Sequence, residues 1–107
     1  MEEIHHTEKK DEPSGTAITL AEGIIQEKKG IDHWVLGSGN SNNLPIRSKR
    51  EGKVPGTHIV TYSSAVDDIE IKHTAHSREG FASGALMVAE WILEKKGVLT
   101  MQDFLQI

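Results

Sequence analysis

Cysteine is absent from this sequence of 107 residues, and aromatic residues make up only 5% of it. Without cysteine there is no disulfide framework, no thiolate nucleophile and no cysteine-ligated zinc, which suits a reducing compartment. No apolar run approaches the ~18 residues of a membrane-spanning helix, and the opening residues Met1–His6 lack the basic start and apolar stretch of a secretion signal. We therefore predict a soluble, cytoplasmic protein.

Positive charge is also scarce. Twelve Lys and Arg residues stand against sixteen Asp and Glu residues, and the formal net charge is -4. This is the wrong sign for a protein held to phosphate backbones by bulk charge, so we expect no nucleic-acid partner. A local basic group is better explained as a solvated edge that discourages aggregation. It consists of Arg47, Lys49, Arg50 and Lys53.

Two copies of the tetrapeptide Glu-Lys-Lys-Gly, at Glu27–Gly30 and Glu94–Gly97, each follow a segment of helical apolar periodicity. Lysines complement the negative end of a helix dipole, and a following glycine can adopt the left-handed conformation of a C-terminal cap. These signals predict one helix from about Ser14 to Lys28 and a second from about Gly80. A short third helix is predicted at Thr100–Leu105. The predicted buried face of the second helix consists of Phe81, Ala85, Val88, Ala89 and Ile92.

Between the two main helices the apolar period changes to two, which is typical of strands. Residues 34–36, 57–63 and 69–75 are predicted strands, the last half-buried, and residues 46–50 are a predicted polar edge strand. The order helix, strands, helix predicts an α+β open-faced sandwich with a mixed or antiparallel sheet of about four strands and two main helices on one face. We expect one domain, residues 1–107, whose other sheet face is solvated or packed against a second copy.

The densest cluster of functional side chains lies near the start of the chain. His5 and His6 titrate near neutral pH, and Lys9 adds positive charge four residues after the first histidine. The segment Pro-Ser-Gly-Thr then enters the first helix, where the unpaired N–H groups around Gly15 and Thr16 can cradle an anion. We predict a carboxylate or phosphate site here.

Each of these residues also has a simpler explanation. The paired histidines could be a tag remnant or a solvated terminus, Ser14 could be only a helix cap, and Lys9 and Lys10 could be only a charged surface. A metal site is a further alternative, but adjacent histidines of an extended segment point to opposite faces, so we expect no metal. Its ligands would be His5, His6, Glu8 and Asp11. The remaining histidines, His33, His58 and His76, show no pairing by spacing and are interpreted as ordinary surface or sheet residues.

The whole cluster follows one long pattern. Residues 3–17 read Glu-x-His-His-x-x-Lys-x-Asp-x-Pro-Ser-Gly-Thr-Ala, and Val54–Thr57, Ile69–Arg78 and Phe81–Ala85 follow with the right order and spacing. This pattern resembles the dihydrodipicolinate reductase (4-hydroxy-tetrahydrodipicolinate reductase) family of lysine and diaminopimelate biosynthesis. The resemblance covers nearly the whole chain. It points to the C-terminal substrate-binding and tetramerisation domain, because no Gly-x-Gly-x-x-Gly segment joins a strand to a helix as in the N-terminal dinucleotide-binding domain.

The resemblance implies a role for each matching residue of the cluster. His5 would be the proton donor or acceptor, and Lys9 a second proton donor. His6 would contact the substrate, while Gly15 and Thr16 would hold a substrate carboxylate. These implied roles agree with the anion site predicted from the residues themselves.

The implied reaction is the reduction of a cyclic unsaturated dicarboxylate by NADPH or NADH, in which this half binds the substrate and donates the proton. The cofactor would be bound mainly by the N-terminal domain, so the chain alone would be an inactive fragment. Arg78 and Phe81 would lie near the nicotinamide or the site mouth, although a helix-start arginine and a core phenylalanine explain them equally well. A homotetramer formed through the sheet is expected. The alternative is a catalytically inert homo-oligomerisation module.

The chain departs from the family pattern at two places. Glu12 stands where the family usually has alanine, which adds negative charge beside the anion cradle. The segment between Thr57 and Ile69 is shorter than the glycine-rich hairpin of many members. We therefore expect a trimmed sheet and altered oligomer contacts.

Overall fold

A computed structural model describes all 107 residues, which divide into two compact units, Met1–His76 and Ser77–Ile107. The first unit is an α+β open sheet of five strands with one helix, which confirms the predicted fold class with one strand more than the expected four. Its elements are β1 (Glu2–His5), α1 (Gly15–Glu27), β2 (His33–Leu36), β3 (Asn43–Arg50), β4 (Gly56–Ser63) and β5 (Asp68–Ala75).

The sheet has the order β2-β3-β1-β4-β5, so the short strand β1 lies at its centre. β1 is parallel to β3 and antiparallel to β4, which makes the sheet mixed. β3 pairs with β2 through residues 43–46 and with β1 through residues 47–50, so the strand predicted at residues 46–50 has a paired neighbour along one side for most of its length. Its polar composition also reflects contacts with β1: Ser48 and Arg50 form hydrogen bonds with Glu3, a buried acidic residue of that strand.

The helix α1 begins and ends as its sequence predicts. Ser14 is the N-cap, and its side chain accepts a hydrogen bond from the N–H of Ala17 at 3.2 Å. Ala17 and Ala21, one helical turn apart, are fully buried together with Ile46 of β3. These small side chains let the helix lie close to the sheet and fix its first turn beside the central strand. Gly30, beyond the helix end, has the predicted left-handed conformation, with φ +87°.

The hairpin of β4 and β5 is more open than its alternating sequence predicts. Ile69 and Ile71 are 59% and 63% exposed, so the prediction of a half-buried strand is wrong for this chain. The physical reason within the first unit is the placement of α1, which packs on β2 and β3. The hairpin turn is closed locally by the hydroxyl of Ser64, which accepts hydrogen bonds from the N–H groups of Val66 and Asp67.

The second unit contains α2 (Glu79–Trp91), a 3-10 turn (Ile92–Glu94) and α3 (Met101–Leu105). Thr100 and Asp103 form a capping box at the start of α3, which confirms the predicted short helix. No residue of α2 is buried, so the prediction of a buried face on this helix is wrong. None of the helices combines the length and apolar composition that a bilayer-spanning segment needs.

Candidate anion-binding site

The register of the three middle strands builds a row of polar side chains. Glu3 of β1 lies opposite Ser48 of β3 on one side and His58 of β4 on the other. His5, two residues along β1, lies opposite Arg50. Because side chains two residues apart share a face of a strand, Glu3 and His5 project from the same face. Residues far apart in the sequence thus converge beside the opening of α1.

Glu3 is the centre of this row, and its side chain is fully buried. The backbone N–H of Ser14 lies 3.1 Å from each carboxylate oxygen, and the Ser48 hydroxyl donates to Oε1 at 2.7 Å. The Arg50 guanidinium lies 3.3 Å from the same oxygen. Burial raises the pKa of Glu3, but the hydrogen bonds from Ser14 and Ser48 outweigh it and hold the pKa below its ordinary value. The carboxylate is therefore ionised at neutral pH.

Two imidazole rings face the other carboxylate oxygen. Oε2 of Glu3 lies 3.3 Å from Nδ1 of His5 and 3.8 Å from Nε2 of His58. The two rings meet edge to face with centroids 5.1 Å apart. Nδ1 of His5 lies within ion-pair distance of the carboxylate but is not oriented for a hydrogen bond with it. This buried nitrogen therefore has no hydrogen-bond partner. The contact between His5 and Glu3 is electrostatic.

Burial has the largest effect on both imidazoles and lowers the pKa of each. For His5, the nearby cations Lys9 and Arg50 act in the same direction, while Glu3 opposes them. For His58, the neighbouring His5 lowers the pKa further, and Glu3 again opposes the shift. Both rings are therefore mainly neutral at pH 7, and an anion placed beside them would favour their protonated forms.

The first turn of α1 has two free donors. The N–H of Ser14 is bound by Glu3, and the N–H of Ala17 is bound by the Ser14 hydroxyl, which also lies 3.2 Å from Nε2 of His58. The N–H groups of Gly15 and Thr16 donate no hydrogen bond within the chain, and both residues are exposed. The cradle predicted from the sequence therefore consists of these two amides.

The segment that carries Lys9 is tied to the sheet by Arg50. The guanidinium donates to the carbonyl groups of Asp11 at 2.7 Å and Lys9 at 3.3 Å. The ammonium of Lys9 itself pairs with the Asp11 carboxylate at 2.8 Å. His6 follows β1 directly, is half-buried, and its side chain forms no hydrogen bond or ion pair. The structure thus joins His5 to the cluster around Glu3, while His6 stays outside it.

Comparison with known proteins identifies the family. A family model described as "Dihydrodipicolinate reductase, C-terminus" matches residues 1–105. The chain belongs to this family. A 4-hydroxy-tetrahydrodipicolinate reductase from Christiangramia forsetii is 52% identical over 105 residues, which are 98% of this chain and 44% of that protein. One from Methanosarcina barkeri is 43% identical over 108 residues, 96% of this chain and 41% of the relative.

A solved structure shares the fold. It is titled "Dipicolinate bound Dihydrodipicolinate reductase from Paenisporosarcina sp. TG-14", and it matches 92% of this chain and 40% of its own with a TM-score of 0.64 and 24% identity. The chain therefore spans less than half the length of the dihydrodipicolinate reductases it matches. The family match extends over both compact units.

Two residues that the family resemblance places near a cofactor lie in the second unit. Arg78 precedes α2 and makes no side-chain capping hydrogen bond. Phe81 is 54% exposed, so its interpretation as a core phenylalanine is wrong for this chain. Their proximity to a nicotinamide stays a prediction.

The loop after β2 does not have the form of a dinucleotide cradle. The segment Gly37–Gly39 follows β2 but leads through a loop into β3, whereas such a cradle opens a helix. A Cβ atom at Gly39 would collide with the side chain of Asn43, so the loop is closed upon itself.

One group of side chains has the spacing of metal ligands. The ligand atoms of Glu3, His5 and His58 lie within 4.8 Å of one another, whereas the alternative set with His6, Glu8 and Asp11 is not brought together. The Glu3 carboxylate already accepts hydrogen bonds from Ser14, Ser48 and the cationic Arg50. A metal cation would meet that positive charge, so the cluster is better suited to protons than to a metal.

Sequence reasoning missed four members of this cluster, namely Glu3, Ser48, Arg50 and His58. They become neighbours only through the pairing of β1 with β3 and β4. The chain carried one weak signal, since Glu3 and His5 alternate with Glu2 and Ile4 as strand residues do. Because the inward residues are the polar ones, this alternation does not resemble an ordinary buried strand.

Proposed function

We propose that this chain is the substrate-binding and proton-donating part of a 4-hydroxy-tetrahydrodipicolinate reductase in lysine and diaminopimelate biosynthesis. The substrate would be a cyclic unsaturated dicarboxylate, and NADPH or NADH would be bound by a dinucleotide-binding domain outside these residues. The observation that carries the proposal is the pair of free N–H groups at Gly15 and Thr16 beside the cluster of Glu3, His5 and His58. The names of the relatives support it.

The substrate would bind through one carboxylate at the opening of α1. Its oxygens would accept hydrogen bonds from the N–H groups of Gly15 and Thr16, where the positive end of the helix dipole also favours an anion. The negative charge of Glu3 does not prevent this binding, because Arg50 and three other donor contacts compensate it. A second carboxylate of the substrate would contact the imidazole of His6 and the ammonium of Lys9.

The proton would come from His5 or Lys9. Burial keeps His5 neutral before the substrate binds, and a bound dianion would raise the pKa of the ring and draw a proton to it. Lys9 would exchange its ion pair with Asp11 for the substrate carboxylate. Both groups would then be protonated and could act as general acids toward the carbon that receives the proton.

Titration with pyridine-2,6-dicarboxylate tests this proposal. We expect the amide NMR signals of Gly15 and Thr16 and the imidazole signals of His5 to shift with a common binding curve. Pyridine-2,5-dicarboxylate, which has the same charge but places its carboxylates on opposite sides of the ring, is the control ligand and should bind more weakly. Absence of any shift at millimolar ligand would contradict the proposal.

A second candidate function is homo-oligomerisation through the sheet without catalysis. The exposure of Ile69 and Ile71 on β5 favours it, because burial of apolar side chains on a strand at the sheet edge stabilises association with a second copy. We propose that this surface contributes to a homotetramer of the full enzyme. Sedimentation velocity of the chain measures its self-association. An oligomer that shows no response to dicarboxylate would favour the inert module.

A further inference from the structure

The buried carboxylate of Glu3 needs an explanation other than stability. Glu3 is fully buried on the central strand β1, where an apolar side chain would avoid the cost of removing a charge from water. Ile46 on the neighbouring strand β3 is such a side chain and is buried to the same degree. An ionised group therefore occupies a position at which packing alone favours an apolar one.

The two oxygens of the carboxylate have different surroundings. Oε1 accepts hydrogen bonds from Ser48 and Arg50, both on β3, and so fixes the carboxylate to the sheet. Oε2 faces the imidazole nitrogens of His5 and His58 at 3.3 and 3.8 Å. The N–H of Ser14 reaches both oxygens. One side chain thus connects the sheet, the helix opening and both rings.

We propose that Glu3 is a positioning residue, which holds Ser14 and the imidazoles of His5 and His58 in the arrangement that the anion-binding site requires. This inference rests on the proposed function. A carboxylate oxygen beside a ring nitrogen favours the proton on that nitrogen, so Nδ1 of His5 carries the proton and Nε2 is left as the acceptor. The same carboxylate orients the N–H of Ser14 and with it the turn that presents the two free amides.

The surroundings of His5 support this assignment. A Cβ atom at Gly56 would lie 3.2 Å from Nε2 of His5, so the ring is held between the Glu3 carboxylate and the backbone of β4. The other charged groups near it are Lys9, Asp11 and Arg50, and they approach from the loop and from β3. Only the Glu3 carboxylate is paired with His5 at ion-pair distance.

Two variants test the positioning role. Glu3→Gln keeps the size of the side chain but removes its charge. Glu2→Gln removes an equal charge from the opposite face of β1, where Glu2 pairs with Lys49 at 3.0 Å. For Glu3→Gln we expect pyridine-2,6-dicarboxylate to bind about tenfold more weakly or worse. The midpoints of the His5 and His58 titrations should also fall, because the carboxylate that opposes the lowering is gone. Glu2→Gln should leave the titrations and the affinity close to those of the unaltered chain.

The state of His5 can also be measured without any variant. Nitrogen-15 shifts of the imidazole distinguish the two neutral tautomers, and we expect the proton on Nδ1. Equal loss of binding in two folded variants would overturn the proposal. A proton on Nε2 in the unaltered chain would overturn it even where Glu3→Gln fails to fold. If the unaltered chain does not bind the dicarboxylate at all, the proposed function fails, and the imidazole spectra alone then test the positioning role.

Discussion

Glu3 and His58 lie directly opposite each other in the antiparallel pair of β1 and β4, with the carboxylate 3.8 Å from the imidazole. The Ser14 hydroxyl lies 3.2 Å from the same imidazole nitrogen, so a strand pair and a helix opening meet at His58. The site is therefore part of the sheet and not of a separate loop. Changes in the register or in the helix cap should alter both the stability of the chain and its affinity for anions.

Loss of the helix cap should cost both stability and binding. Ser14→Ala removes the acceptor for the N–H of Ala17 and the contact with His58. We expect the free energy of unfolding to fall by about 1 kcal/mol, and the dicarboxylate affinity to fall with it. Urea denaturation measures the first effect. Ser38→Ala, on a loop hydroxyl without a hydrogen bond, is the control and should change the stability by less than about 0.5 kcal/mol.

Acid should destabilise the chain in two steps. The pKa values of His5 and His58 are lowered by burial from the ordinary 6.5, so the unfolded chain takes up protons before the folded chain does, and stability declines as the pH falls below about 6.5. The pKa of Glu3 is lowered from 4.5, so its contribution is complete above that pH and is lost below it. Urea midpoints between pH 8 and pH 3 should show both steps. A midpoint that rises between pH 7 and pH 5 would contradict this.

The ends of the helices were predictable from the sequence, because signals in neighbouring residues determine them. The cap at Ser14, the helix stop before Gly30 and the capping box at Thr100 depend on neighbouring residues. The central strand β1 was not predictable in the same way, because its inward residues, Glu3 and His5, are polar. Their partners lie more than forty residues away in the chain, and only the pairing of strands reveals them.

Release of Lys9 should strengthen anion binding. Asp11→Asn removes the carboxylate that pairs with the ammonium of Lys9 at 2.8 Å. We expect pyridine-2,6-dicarboxylate to bind more tightly, by no more than about fivefold, because the lost ion pair is exposed and weak. Isothermal titration calorimetry measures the change. Glu8→Gln is a matched control, since it alters the net charge equally at an exposed residue that has no ion pair, and an equal gain there would show that only the net charge matters.

A side chain at residue 56 should displace the His5 ring. In Gly56→Ala the new methyl group would lie 3.2 Å from Nε2 and 3.4 Å from Cδ2 of His5, closer than ordinary contact. We expect the His5 imidazole signals to shift and the affinity for the dicarboxylate to fall. Gly23→Ala is the control, because a Cβ atom there meets nothing within 4 Å and alanine favours the helix. Unchanged His5 signals in Gly56→Ala would show that the ring is not held against β4.

The exposed apolar residues of β5 provide the test of self-association. Ile69 and Ile71 lie opposite Tyr62 and Val60 of β4, so the four side chains form one continuous patch on the hairpin. The double variant Ile69→Ser and Ile71→Ser should lower the sedimentation coefficient at micromolar concentration, because it removes most of the exposed apolar surface of β5. Val66→Ser, in the hairpin turn and 91% exposed, removes a comparable apolar side chain outside the patch. An oligomer that survives the double variant but not the Val66 variant would place the interface at the turn and not on the strand.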